Sequence, residues 1–194
     1  MKRLLIVLLS CCLALGSPLA ALAAEETAVL AGGCFWCLEH DLESLPGVID
    51  AVSGYSGGTV SNPTYRQVSG ETTGHQESVQ VRFDPAKISY STLLRSYWRN
   101  VDPLDDGGQF CDRGDSYRPV IFTADAAQAH EAEASAQAAA MELGVPRSAL
   151  KVQLRDAARF WPAEGYHQNY AELNTVKYNF YRIRYSRDRR QDTV

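Results

Sequence analysis

Two cysteines, Cys34 and Cys37, stand three positions apart in the stretch Ala-Gly-Gly-Cys-Phe-Trp-Cys that covers residues 31–37. The nucleophilic form of a cysteine is its thiolate, and the N-terminus of a helix favours that form. An apolar run over residues 27–31 precedes the two glycines, and apolar residues follow at helical spacing. We therefore expect a short buried strand to end, and a helix to begin, at Cys34, which makes this thiol the candidate reactive group.

The spacing of the two cysteines is compatible with three kinds of site. A C-x-x-C pair between a strand and a helix suits a thioredoxin-like redox centre. The pair could also be half of a zinc site, although no second such pair or paired histidine lies nearby in the sequence. The third possibility is a purely structural disulfide. Because a bridge across two intervening residues is reducible, the spacing favours a bond that turns over.

Two more polar side chains stand where predicted strands end or begin. Tyr55 follows the second predicted strand, whose end is expected beside Cys34, and its hydroxyl can reach into the crevice at the strand ends. Glu77 precedes the third predicted strand, and a carboxyl group in such an apolar place has a raised pKa and can donate a proton near neutral pH. A loop tyrosine packed on glycines and a solvated glutamate are the alternatives that these residues leave open.

The elements that must position these groups follow from periodicity and from helix-capping and turn residues. The first six are a strand at 27–31, a helix from 35 to Pro46, strands at 48–52 and 79–83, a helix from Ser89 to about Arg99 and a strand at 119–123. This β-α-β-β-α-β order is the split βαβ or ferredoxin-like arrangement, in which the first two strands run parallel. We predict an α/β (α+β) fold, a two-layer sandwich with this core. A long helix ending at Gly144, a strand at 151–155, a turn at 160–162 and a short helix at 166–173 are expected to follow.

The first 23 residues have the pattern of a secretory signal peptide. Lys2 and Arg3 precede an apolar stretch at 4–15 that is too short to span a bilayer, and Ala21-Leu22-Ala23 fits a cleavage site. An uncleaved membrane anchor is the alternative. We therefore expect an exported protein, located in a bacterial periplasm, with a single catalytic domain at residues 24–194 and no membrane segment after cleavage.

Composition narrows the classes of function. The chain has 194 residues, is 45% hydrophobic and carries a net charge of −4, which is ordinary for a globular protein and gives no electrostatic basis for binding nucleic acid or anionic membranes. Three cysteines remain after cleavage, namely Cys34, Cys37 and Cys111. An odd number in an exported protein suggests a working thiol rather than a disulfide scaffold.

Six motifs together resemble, in the same order, those of the type A methionine sulfoxide reductases. They are Gly33-Cys-Phe-Trp36, Gly54-Tyr-Ser-Gly-Gly58, Asn62-Pro-Thr-Tyr65, Thr73-Gly-His-Gln-Glu77, Phe83-Asp-Pro85 and Ala163-Glu-Gly-Tyr-His-Gln168, and the similarity runs from about residue 28 to residue 185. The resemblance implies an α/β fold and an enzyme that repairs oxidised proteins by reducing the S epimer of methionine sulfoxide, free or in proteins. We expect no metal or organic cofactor, a thioredoxin-like external dithiol as reductant, and a monomer.

Carried over position by position, the resemblance also implies roles for the site residues. Cys34 matches the nucleophile, and Glu77 matches the acid that protonates the sulfoxide oxygen. The remaining matches concern substrate binding. Tyr55 and Tyr117 match the tyrosines that hydrogen-bond the sulfoxide oxygen, and Asp112 matches the aspartate that binds the polar part of the substrate. Phe35 and Trp36 match the walls of the pocket for the S-methyl group.

The chain departs from the family pattern at its cysteines. Many members have glycine where Cys37 stands and carry resolving cysteines in a C-terminal tail, whereas residues 186–194 contain none. Cys37 is therefore expected to resolve the Cys34 sulfenic acid as a disulfide. Cys111 stands where many members have asparagine, and its role stays open. The alternatives are an exported thiol–disulfide exchange protein that uses the same pair, and a binding domain with a structural disulfide.

Overall fold

The protein is described by a computed structural model that covers residues 24–184. The predicted signal peptide and the end of the chain lie outside the described residues. The strands are β1 Glu26–Ala31, β2 Val48–Ser56, β3 Gln76–Phe83, β4 Gly108–Gln109, β5 Asp112–Arg113, β6 Val120–Thr123, β7 Gln153–Asp156 and β8 Trp161–Pro162. The helices are α1 Phe35–Glu43, α2 Tyr65–Ser69, α3 Tyr90–Asn100, α4 Ala126–Glu142, α5 Tyr170–Leu173 and α6 Thr175–Arg184.

A six-stranded sheet in the order β7-β6-β1-β3-β2-β8 forms one layer. Its central four strands, β6-β1-β3-β2, have the ferredoxin-like order, which confirms the predicted fold class. β1 and β2 each pair antiparallel with β3, so they run parallel to each other as predicted but are not neighbours. The expectation that the ends of β1 and β2 lie side by side was therefore wrong, because β3 is inserted between them.

The second layer is built from α1, α3 and α4, which pack on the sheet and side by side. Their apolar faces meet the alternating inward residues of β1 and β3, so the core contains Leu30, Val79 and Val81 from the strands and Leu38 and Leu93 from the helices. Ser89 and Asp125 cap α3 and α4 through their side-chain oxygens. None of the helices between residues 24 and 184 has the length and apolar content needed to cross a bilayer.

Three elements differ from the expectation. Between β2 and β3, where no element was predicted, the chain forms α2, whose cap Thr64 forms a reciprocal capping box with Gln67. The predicted turn at 160–162 includes β8, which pairs with the end of β2 and extends the sheet. The segment predicted as one short helix is a short turn of helix at 165–167 followed by α5, and the ten-residue α6 comes after it without having been predicted.

Candidate active site

Cys34 lies at the junction between β1 and α1, where it is the N-cap residue of the helix. Its carbonyl group accepts hydrogen bonds from the N–H groups of Cys37 and Leu38 at 3.2 and 3.3 Å. Gly33 precedes it with φ of +80°, a conformation that favours glycine, and a Cβ atom on Gly32 would lie 2.7 Å from the Val101 side chain. The two glycines therefore allow the tight connection that places the thiol at the positive end of α1.

The two cysteines of the pair differ in exposure. Cys34 is 6% exposed and opens into a pocket, whereas Cys37 is 0% exposed and packs with Ala171 and Tyr178 of the C-terminal helices. A small substrate can therefore reach Cys34 from solvent, while Cys37 is covered.

Glu77 is positioned by the register of β3 against β1. Ala31, the last residue of β1, pairs with Ser78, so the neighbouring Glu77 comes next to the turn that carries Cys34. The Phe35 N–H group, the first of α1, donates a hydrogen bond to Glu77 Oε2 at 3.1 Å. The Glu77 side chain is 3% exposed, which excludes the alternative of a solvated strand-end glutamate. The insertion of β3 thus brings a carboxyl group to the residue that follows the thiol.

A small pocket of about 60 Å³ joins these groups. It is lined by Cys34, Phe35, Trp36, Tyr65, Glu77, Asp112, Tyr117 and Tyr181. Six of the eight residues predicted for the site, all except Cys37 and Tyr55, therefore line one cavity. Tyr65 and Tyr181 were not among the predicted site residues.

The structure does not bring Tyr55 to this pocket. Its side chain is fully buried, and its hydroxyl group donates a hydrogen bond to Glu164 Oε2 at 2.9 Å. Burial and this hydrogen bond raise the pKa of Tyr55. Because a phenol has a single proton, the geometry commits the Tyr55 hydroxyl to Glu164 rather than to a ligand next to Cys34.

Tyr65 occupies the place that the sequence analysis expected for Tyr55. It is the first residue of α2, and its N–H group donates a hydrogen bond to Glu164 Oε1 at 2.9 Å. Glu164 therefore connects Tyr55 to the backbone that carries Tyr65. The Tyr65 and Tyr117 side chains both line the pocket, and burial raises the pKa of both, so both stay protonated donors at neutral pH. The Thr-x-x-Gln capping signature at 64–67 was the signal that could have identified a helix start at Tyr65.

Phe35 and Trp36 form the aromatic side of the pocket. The Trp36 ring stacks on Tyr170 with a centroid distance of 3.7 Å and an interplanar angle of 7°. Its indole N–H donates a hydrogen bond to His167 Nδ1 at 3.0 Å, and burial lowers the pKa of His167, which keeps that nitrogen an acceptor. The orientation of Trp36 is therefore set by contacts from the C-terminal part of the chain.

A second buried carboxyl group, that of Glu39, lies on α1 two positions after Cys37. Glu39 is 2% exposed, and its Oε1 accepts a hydrogen bond from the Asn169 N–H at 3.3 Å. Burial raises the pKa of Glu39 from its ordinary value of 4.5 to about 7. Glu39 does not line the pocket, so its titration bears on how the segment before α5 is held rather than on the chemistry at Cys34.

The part of the chain that the structure describes contains no set of side chains arranged to bind a metal ion. Between residues 24 and 184, no group of three or more His, Cys, Asp or Glu side chains is placed to hold a metal ion. The arrangement around Cys34 is instead a thiol at a helix terminus, two carboxyl groups, three phenols and aromatic walls. Such a set can attack a polarised sulfur and protonate an oxygen on it.

Comparison with known proteins points to the same chemistry. Residues 26–194 match the family profile described as "Peptide methionine sulfoxide reductase". The protein named peptide methionine sulfoxide reductase MsrA 2 of Caulobacter vibrioides is 50% identical over 196 residues, which cover 100% of this chain and 98% of the relative. Peptide methionine sulfoxide reductase MsrA of Ligilactobacillus salivarius is 50% identical over 154 residues, 79% of this chain and 89% of that protein. The structure of methionine sulfoxide reductase A of Corynebacterium diphtheriae superposes with a TM-score of 0.72 at 31% identity, covering 78% of this chain and 76% of that one.

Proposed function

Because the chain belongs to the type A family of peptide methionine sulfoxide reductases, we propose that the pocket around Cys34 is the place where it reduces methionine sulfoxide. The enzyme converts the S epimer of methionine sulfoxide to methionine and so repairs oxidised proteins. The proposal concerns which residues carry out this reaction and how. It is supported chiefly by one observation, the Glu77 carboxyl group bound to the N–H of the residue that follows the Cys34 thiol.

The first step is attack of the Cys34 thiolate on the sulfoxide sulfur. The S–O bond weakens as the oxygen takes a proton from Glu77, and Tyr65 and Tyr117 donate hydrogen bonds to the developing charge on that oxygen. As the S–O bond of the substrate breaks, the bond formed between the two sulfurs also breaks, and the oxygen passes as a hydroxyl group to the Cys34 sulfur. The products of this step are methionine and the sulfenic acid of Cys34, with the glutamate left ionised.

The walls of the pocket explain how a sulfoxide would be oriented. Phe35 and Trp36 offer apolar surface to the S-methyl group, and Trp36 is held by Tyr170 and His167. Asp112 lies in the same pocket and can accept a hydrogen bond from an amide N–H of the substrate backbone. In this proposal Tyr65, not Tyr55, pairs with Tyr117 on the sulfoxide oxygen, because the Tyr55 hydroxyl is bound to Glu164.

The second step is resolution by Cys37. Cys37 lies one turn along α1 from Cys34 and is in the same buried cluster. Its thiol condenses with the sulfenic acid to give a Cys34–Cys37 disulfide, and one water molecule leaves. An external dithiol then reduces the disulfide by exchange, and its own two thiols become a disulfide. We propose a thioredoxin-like protein as this donor, with no metal or organic cofactor in the cycle.

Localisation is a further part of the proposal. The signal-peptide pattern of residues 1–23 supports export to a periplasm, and the donor would then be a periplasmic dithiol protein. Mass spectrometry of the protein recovered from the periplasmic fraction should find a chain beginning near residue 24. Recovery of the full-length chain from the cytoplasm would contradict export.

The experiment that tests the proposed site is single turnover without reductant. One equivalent of N-acetylmethionine S-sulfoxide should yield one equivalent of methionine derivative and the loss of two thiols, and Cys34→Ser should abolish both while the fold is retained. Substantial product from Cys34→Ser would refute the assignment. A thiol–disulfide exchange protein, the alternative function, would reduce protein disulfides and leave the sulfoxide unchanged.

A further inference from the structure

We propose that Tyr181, which is carried by α6, is a positioning residue that holds the Asp112 carboxylate in the orientation in which it binds substrate. This inference rests on the proposed function, since it takes Asp112 as a group that contacts the substrate. It assigns a role to the C-terminal helix and to Cys111, neither of which the mechanism above uses.

The α6 helix is docked by one face onto α1. Arg182 forms an ion pair with Asp41 at 2.7 Å, and both side chains are largely buried at 11% and 14% exposure. Tyr178, 3% exposed, packs on the cysteine pair, and its hydroxyl accepts a hydrogen bond from Arg182. Residues at positions 178, 181 and 182 share one helical face. The Arg182–Asp41 ion pair holds this face against α1, and Tyr181 lines the pocket from the same face.

The Tyr181 hydroxyl lies between Asp112 and Cys111. It donates a short hydrogen bond to Asp112 Oδ2 and accepts one from the Cys111 thiol, with 3.7 Å between sulfur and oxygen. A phenol has one proton to donate and can accept further hydrogen bonds. The thiol thus occupies an acceptor position of the oxygen, and the single proton is directed at the carboxylate. Burial, together with nearby Cys34 and the bond to Asp112, raises the pKa of Tyr181, so that proton stays in place.

Asp112 needs such a partner because of where it stands in the fold. It belongs to β5, a two-residue strand that pairs with β4 in a sheet separate from the central one. A two-stranded hairpin of that length is marginally stable by itself, so the position of the Asp112 carboxylate depends on contacts from outside the hairpin. A hydrogen bond to a charged acceptor is stronger than one between neutral groups, so Tyr181 can select one rotamer of Asp112.

The test compares hydroxyl deletions at two tyrosines of α6. Tyr181→Phe removes the oxygen bound to Asp112, and Tyr178→Phe, the matched control, removes an oxygen bound to Arg182 outside the pocket. For each full-length variant, the rate of the first equivalent of product is measured against the concentration of N-acetylmethionine S-sulfoxide amide. Tyr181→Phe should raise the half-saturating concentration about tenfold or more, with the limiting rate within a factor of two of wild type. Tyr178→Phe should change neither, and circular dichroism should show that both variants are folded.

A double-mutant cycle separates positioning from a direct contact. If Tyr181 acts through Asp112, the variant that combines Tyr181→Phe with Asp112→Asn should bind substrate no more weakly than Asp112→Asn alone. Additive losses would overturn the proposal, as would an equal loss in Tyr178→Phe or a fall in the limiting rate at unchanged half-saturation. Formation of the first equivalent of product by the wild-type protein tests the proposed function separately. If the wild type forms no product, the function is refuted whatever the variants do.

Discussion

The replacement of Glu77 by glutamine tests the chemical step most directly. The amide side chain has nearly the same shape as the carboxyl group, and its oxygen can still accept the hydrogen bond that the Phe35 N–H donates at 3.1 Å. What the variant lacks is the acidic proton. We therefore expect an intact pocket that binds substrate and releases methionine slowly.

The size of the loss follows from what stays in the pocket. General acid catalysis contributes roughly 10²–10⁴-fold to a rate. Tyr65 and Tyr117 remain as hydrogen-bond donors next to Cys34 in the variant, so part of the stabilisation of the leaving oxygen persists. We expect the limiting rate to fall by about 10²–10³, which corresponds to about 3–4 kcal/mol of transition-state stabilisation.

The assay is rapid-quench measurement of methionine formation with saturating N-acetylmethionine S-sulfoxide and no reductant. Glu133→Gln makes the same chemical change on the surface of α4, where the carboxylate binds Arg147, and should react at the wild-type rate. A limiting rate for Glu77→Gln within threefold of wild type would refute the role of Glu77 as acid.

Two further predictions concern the second thiol and the second buried carboxyl group. In Cys37→Ser the first equivalent of methionine should form at the normal rate, while multiple turnover with a protein dithiol should collapse. Peptide mapping of the oxidised wild-type protein should find Cys34 joined to Cys37 and Cys111 still open to alkylation. A Cys34–Cys111 disulfide would contradict this prediction. Burial raises the pKa of Glu39 from 4.5 to about 7, so the folded protein retains a proton that the unfolded chain releases, and stability from this group is lost as the pH rises from about 4.5 to 7. Glu39→Gln should not lose this stability. The free energy of unfolding in urea of the variant, relative to that of the wild type, should therefore rise by up to about 3 kcal/mol between pH 4.5 and 7.5. A difference between the two proteins that does not change with pH would refute the reasoning.

The core of the fold was predictable because local signals and the global arrangement agree. Alternation along β3, the apolar face of α3 and the capping residues Ser89 and Asp125 each indicate the element that is found. The α6 helix was missed for a physical reason. Its large apolar residues Val176 and Phe180 are 85% and 65% exposed, while its docked face carries tyrosines and an arginine, so its pattern does not indicate a buried apolar stripe.

The site was predictable where a residue is close in sequence to the element that positions it. Cys34 follows from the strand, the glycines and the helix that surround it. The choice between Tyr55 and Tyr65 depends instead on Glu164, which is 109 and 99 positions away from them in the chain. No local sequence pattern indicates that the Glu164 carboxylate binds the Tyr55 hydroxyl and so keeps it away from the pocket. Tyr181 depends in the same way on Asp112, 69 positions earlier.

The origin of Tyr181 in the last described helix also has a consequence for when the enzyme becomes active. The thiol and its acid belong to elements within the first half of the described chain, whereas Tyr181 of the pocket wall comes from α6 and the cover over Cys37 comes from α5 and α6. During synthesis the N-terminal part of the chain is available to fold first. A nascent chain that has not yet produced α6 would therefore have Cys34 and Glu77 without a complete pocket, and with Cys37 uncovered. The last described helix thus determines the moment at which a reactive thiol pair becomes a protected one.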